Sequence, residues 1–162
     1  MFGILRQFEE NVRLTRLKEE LRPASLTGEN KCIRCGFCCN MRTCIPTPDE
    51  LKEIAKFLKL TPKELINKYY AIDKTSSGDY YYIKPTGVNT RDLAGKFIPD
   101  DRTFNEGKCI FLEGKDCKIY SVRPNHAKTM ECWKGGNMVE YNVHKFWKNN
   151  ELKKEFGIEV KE

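Results

Sequence analysis

Four thiols within eight residues, Cys32, Cys35, Cys38 and Cys39, are the part of this sequence most able to do chemistry. Each CxxC step lets two sulfurs converge on one centre, as in zinc knuckles and in the ferredoxin-type run. The neighbours Cys38 and Cys39 send their side chains in divergent directions, which suits a polynuclear centre, or two centres, better than a single ion. Gly36, free to adopt positive φ, fits a chain that wraps closely around something. Four more cysteines follow: Cys44, then Cys109 and Cys117, then Cys132 before Trp133. Eight thiolates could fill two closed four-sulfur zinc sites. The CxxCxxC spacing with a later cysteine near proline (Cys44-Ile45-Pro46) partly matches the bacterial ferredoxin run, although five residues instead of three separate Cys38 from Cys44. The CxxxCxxC of radical-SAM enzymes is absent.

The elements that must hold these thiols are partly legible. Residues 1–22 carry Ile4, Leu5, Phe8, Val12, Leu17 and Leu21 at helical spacing and predict an amphipathic helix ending before Pro23. Thr47-Pro48-Asp49-Glu50 is a capping box with proline at the first helical position, predicting a helix from Pro48 to Lys59. Thr61-Pro62-Lys63-Glu64 repeats the signal, and Leu65, Ile66, Tyr69 and Tyr70 continue a second helix. From Asp73 to Lys108 the turn-forming composition predicts loop, with short strands at Tyr80–Ile83 and Lys96–Ile98. Residues 109–112 and 117–120 read as a β-hairpin with one cysteine at the start of each strand. A helix capped by Ser121 is expected over Val122–Met130, and a last amphipathic helix over Val143–Phe156, ending near Gly157.

Length and composition bound the answer. The 162 residues, 40% hydrophobic and 32% charged, suit one globular domain with a real core, so disulfides are not needed merely to keep it folded. Arg6, Glu9, Glu10 and Arg13 interrupt any secretory h-region, and no apolar run could span a bilayer, so a soluble cytoplasmic protein with no membrane partner is expected. In a reducing compartment eight thiols point to metal. The net charge of +6 is spread along the chain and names no partner.

With CxxCGxCC at 32–39, CIFL at 109–112 and CKIYSVRP at 117–124, the sequence resembles the CxxCxxCC (YkgJ-type) cysteine-cluster family, described as a zinc- or iron-chelating domain, over about residues 30–130. The resemblance implies a small metal- or cluster-binding domain. It also exposes a departure: the family has a cysteine three residues after Arg-Pro, where this chain has Ala127. His126, Cys132 and Cys44 are the candidates for the missing ligand. Some flagellin lysine N-methylases share a similar run, which keeps a cluster-assisted enzyme related to them as a further alternative, although no glycine-rich methyl-donor loop follows a strand here.

Other features weigh less. Residues 54–70 have a helix-turn-helix outline, but Lys63, Glu64, Asn67 and Lys68 make a short and weakly basic reading face, which argues against a nucleic-acid reader. Tyr80-Tyr81-Tyr82 could stack bases, though strand packing is the expected role. Arg123, Asp92, Asp100 and Asp101 read as solvated loop charges, and no nucleophile–base pair is visible, which leaves enzymatic activity open.

The expectation is therefore a small irregular α+β domain, with several helices around a short hairpin and a cysteine-ligated centre. It divides into an N-terminal helix and linker (1–29), a cysteine-cluster region (30–134) and a C-terminal helical extension (135–162). The expected ligands are Cys32, Cys35, Cys38, Cys39, Cys109, Cys117 and Cys132. An iron-sulfur (4Fe-4S) cluster for electron transfer or redox sensing is favoured over zinc, with Phe37, Phe111 and Trp133 as shields and a protein or redox partner of unknown identity. A zinc module would lose its fold with its metal.

Overall fold

In the computed structural model, the described residues are 36, 39–40, 43–75, 80–99, 102, 107–128, 146–147 and 149–159. Thr47 opens the first helix, α1 (Pro48–Phe57): its side chain accepts the Glu50 N–H while Glu50 reaches back to the Thr47 N–H at 2.8 Å. Thr61 and Glu64 repeat the arrangement for α2 (Pro62–Tyr69). The corner between them turns at Lys59, whose φ is 57°. Leu51, Ile54 and Ala55 of α1 and Leu65 and Ile66 of α2 are buried. They face the strands β1 (Tyr70–Lys74) and β2 (Tyr81–Pro85), which pair antiparallel with Tyr70 opposite Pro85 and Ile72 opposite Ile83. The helical expectation for Tyr70 fails, because its backbone is extended (φ −124°, ψ 149°) and begins β1.

The expected strand at Lys96–Ile98 exists as a single parallel bridge, with Ile72 N–H on the Lys96 carbonyl and Ile98 N–H on the Ile72 carbonyl. Strand β1 is thereby buried on both sides. Tyr70 and Ile72 join the main core, while Ala71 packs with Leu93 and Ile98 in a smaller cluster. Gly95, at φ +75°, lies so close to α2 that a Cβ there would stand 2.7 Å from Asn67 Oδ1. The tyrosine run packs as strand: Tyr81 meets Phe97 edge-on at 5.8 Å, and Tyr82 donates to Asp73, which also pairs with Lys84 at 3.2 Å. Asp92 is held low by hydrogen bonds from Arg102.

A 3-10 segment (Val88–Leu93) leads towards the second hairpin, β3 (Leu112–Glu113) and β4 (Asp116–Cys117). This hairpin is shorter than expected. Cys109 precedes the ladder, and Cys117 ends β4, where it pairs with Leu112. After a 3-10 turn (Tyr120–Val122), the helix α3 (Asn125–Lys128) starts later than the sequence suggests, because Pro124 disfavours helix at Arg123. The last helix, α4 (Asn149–Phe156), leaves Phe146 and Trp147 outside its first turn. Its Leu152 and Phe156, with Trp147, complete the main core. Glu155 reaches Lys52 of α1 at 2.7 Å and raises the lysine's pKa. The described chain is thus a mixed α+β structure of short helices and two antiparallel hairpins. Among the described residues no helix is long and apolar enough to cross a membrane. The helix expected at 1–22 lies outside them.

Candidate metal centre

The far end of β2 sets the later cysteines. Thr86, 1% exposed, donates its N–H and hydroxyl to the Tyr69 carbonyl, and the next residues bridge to Cys109. Val88 N–H binds the Lys108 carbonyl at 2.7 Å, and Ile110 N–H binds the Thr86 carbonyl at 3.1 Å. Because hydrogen bonds alternate sides along an extended chain, the Cys109 N–H faces away from β2. It meets the Cys39 carbonyl at 2.7 Å. Two cysteines about 70 residues apart are therefore joined through their backbones.

Gly36 reinforces the junction. It is buried at φ +74°, and a Cβ there would stand 3.7 Å from Lys115 Cα and 3.8 Å from Leu112 Cδ1. Asn40 closes the turn, with its backbone and side-chain nitrogens both donating to the Gly36 carbonyl. The early loop thus lies on the hairpin that carries Cys117.

Cys44 sits in a segment clamped at two points. Ile45 N–H donates to His126 Nδ1 at 3.0 Å, and Trp147, fully buried, donates its indole N–H to the Pro46 carbonyl at 2.9 Å. Glu50 ties α3 to the same place, since its second oxygen accepts the Asn125 N–H at 2.8 Å. In a neutral imidazole whose Nδ1 accepts a hydrogen bond, Nε2 carries the proton, and no lone pair is left for a metal. Through Nδ1, His126 clamps the Cys44 segment.

The wall behind the cysteines is aromatic. Phe111 is 1% exposed and packs against Tyr69 and Tyr70, with ring centroids 5.2 and 5.6 Å away. Tyr70 is fully buried, and its hydroxyl has no hydrogen-bond partner among the described residues. Burial, then the charges of Cys109, Cys117, Cys44 and Glu50, hold this phenol well above its ordinary pKa. Arg123 stacks over the Tyr120 ring at 3.9 Å and donates to the Tyr120 carbonyl, while its buried Nε has no partner among the described residues.

Cys39, Cys44, Cys109 and Cys117 are all half-buried. Among the described residues no three of His, Cys, Asp and Glu are grouped so as to hold an ion. Cys32, Cys35, Cys38 and Cys132, with Phe37 and Trp133, lie outside those residues. The donor chemistry nevertheless fits a sulfur-ligated metal, because half-buried thiols from two distant segments, Cys39 and Cys109, are joined through their backbones. The sequence reading singled out neither Tyr70 nor Glu50 for the site. Trp147 was legible only as an apolar position of the last helix.

Comparison with known proteins agrees with this chemistry. Over 95 residues, 57% of this chain, the sequence is 35% identical to "Uncharacterized protein MJ0661" of Methanocaldococcus jannaschii. That alignment covers 39% of the relative's length. No solved structure matches the chain. Since residues 31–154 fit the pattern whose description is "Putative zinc- or iron-chelating domain", the chain belongs to the CxxCxxCC family.

Proposed function

We propose that the chain binds its metal through Cys32, Cys35, Cys38 and Cys39 on one side and Cys109 and Cys117 on the other, with Cys132 available to complete the set. The metal is iron, held as a 4Fe-4S cluster for electron transfer or redox sensing. The observation that carries this reading is the 2.7 Å hydrogen bond from Cys109 N–H to the Cys39 carbonyl, which brings the two cysteine-bearing segments to one place. Adjacent thiols and CxxCxxC spacing favour a polynuclear centre. A bound cluster would supply one-electron oxidation and reduction. The chain's own work is to present thiolates, to exclude water with Phe111, Tyr69 and Tyr70, and to fix the approach of the early loop through Gly36. On this reading residues 30–134 hold the centre, 1–29 and 135–162 are helical additions to it, and a redox partner protein docks beside it.

The test is anaerobic purification of the full chain, with a visible spectrum and analysis of iron, zinc and sulfide per chain. A brown protein with roughly four iron and four sulfide per chain is expected, lost in Cys109→Ser and Cys117→Ser. A colourless protein with stoichiometric zinc would overturn the cluster and leave a redox-inert structural module. A chain that takes up neither metal would overturn the whole reading.

A further inference from the structure

A half-open cleft of about 210 Å³, with no cysteine in its walls, lies where α2, the bridge strand at Phe97 and the end of α4 meet. Its floor is apolar, built from Ile66, Ile72, Phe97 and Phe156. Backbone shape, rather than a chance gap between side chains, makes the walls. A Cβ at residue 95 would stand 2.7 Å from Asn67 Oδ1 and 3.2 Å from Asn67 Cα, so glycine is what lets that wall close on α2. At another wall Gly157, at φ +66°, turns the chain off α4, and Ile158 N–H donates back to the Leu152 carbonyl at 3.0 Å. The rim carries both signs of charge. Lys63 and Asn67, one helical turn apart, line the α2 side. Glu159 lines the α4 side together with the C-terminal end of that helix, the negative end of its dipole. Lys63 sits in the first turn of α2, where the helix dipole opposes a positive charge, and it pairs with no carboxylate among the described residues. Neither helix stability nor an ion pair accounts for its place.

We propose that this cleft binds a free α-amino acid with an apolar side chain. Its carboxylate meets Lys63 and Asn67, its ammonium meets Glu159 and the end of α4, and its side chain lies on the apolar floor. A zwitterion is the ligand that satisfies both ends of such a rim, since a simple acid or a simple amine would leave one charge facing a like charge or nothing. The cleft of about 210 Å³ holds about seven times the ~30 Å³ that one molecule takes up in liquid water, which is room for about ten heavy atoms and too little for a nucleotide. Leucine, methionine and valine fit that limit. The site stands apart from the metal centre and does not depend on which metal is bound there.

The full chain is titrated with L-leucine, L-methionine and L-valine at millimolar concentration, and its backbone amides are followed by NMR. Saturating shifts are expected with at least one of them at Asn67, Gly95, Phe97 and Gly157. For the amino acid that binds, the amide analogue (L-leucinamide for leucine) lacks the carboxylate, and the acid analogue (4-methylpentanoate for leucine) lacks the ammonium. Each analogue should bind about tenfold more weakly than the parent. Lys63→Ala should weaken the amino acid about tenfold and leave the amide analogue unchanged, whereas Glu159→Gln should weaken the amino acid and leave the acid analogue unchanged. Both side chains are exposed, so both variants are expected to keep the fold. Absence of saturating shifts with all three amino acids overturns the proposal. So does an analogue that binds as tightly as its parent, or binding that neither substitution weakens.

Discussion

Replacing His126 separates a structural imidazole from a metal-binding one. The ring is 6% exposed, and its Nδ1 accepts the Ile45 N–H at 3.0 Å, beside Cys44. His126→Ala leaves that N–H half-buried without an acceptor, at about 1 kcal/mol, and removes a packed ring at about 1–2 kcal/mol more. The total of about 2–3 kcal/mol lowers the melting temperature by roughly 4–12 °C for a chain of this size. His126→Asn places an amide oxygen near the position of Nδ1, so it keeps the acceptor and loses about 1 kcal/mol of packing. Metal per chain stays equal to that of the unsubstituted protein in both variants, because a ring accepting through Nδ1 has no second lone pair to offer. Thermal unfolding and metal analysis on the same preparations check this. Loss of metal in His126→Asn with an unchanged melting temperature would refute the reasoning and make His126 the substitute for the family cysteine absent at Ala127.

Thr47→Ala removes the N-cap of α1 and unbalances Glu50, which also holds Asn125; a loss of about 1 kcal/mol in chemical denaturation is expected with metal content unchanged. The Glu64 carboxyl is held below its ordinary pKa by the Thr61 N–H and then by the Thr61 hydroxyl, so the stability it adds is present above its unfolded value and lost as pH falls through the lower folded one. The gap in denaturation midpoint between the natural chain and Glu64→Gln should therefore close on acidification, and a gap that widens contradicts the assignment. Removing the metal with a chelator should speed hydrogen exchange at the amides of Asn40, Ile45 and Cys109, while those of α1, β1 and β2 stay protected. Equal loss of protection everywhere would show that the core depends on the metal.

Both capping boxes were legible because each is complete within four consecutive residues and needs no partner elsewhere. Gly36 was legible for a similar reason, since a positive φ is a property of one residue. Tyr70 was misread because Leu65, Ile66, Tyr69 and Tyr70 keep helical spacing; the strand exists only through its pairing with residues 81–85, which local pattern does not encode. The hairpin was overextended for the converse reason. Residues 109 and 110 have strand composition, but their N–H groups are engaged by Cys39 and Thr86 instead of by β4. The clamps on the Cys44 segment were invisible, because His126 lies 81 positions and Trp147 101 positions from the carbonyl or amide each one holds.

The division between core and cysteine loop explains why metal removal should act locally. The buried set of the main core comes from α1, α2, β1, β2, Phe111, Ile119, Trp147 and α4; none of the four described cysteines belongs to it, and Cys109 and Cys117 pack only at its edge. The helices and strands between residues 47 and 86 order most of the chain separating Cys39 from Cys109. Closing an unstructured loop of about 70 residues costs about 4 kcal/mol in the length-dependent part alone, whereas ordering the stretch of about eight residues back from Thr47 to Cys39 costs about 2 kcal/mol. The folded core thus removes roughly half of that closure cost before any metal arrives. It follows that the intact chain should bind metal more tightly than an isolated peptide carrying residues 32–44 together with one carrying 109–117.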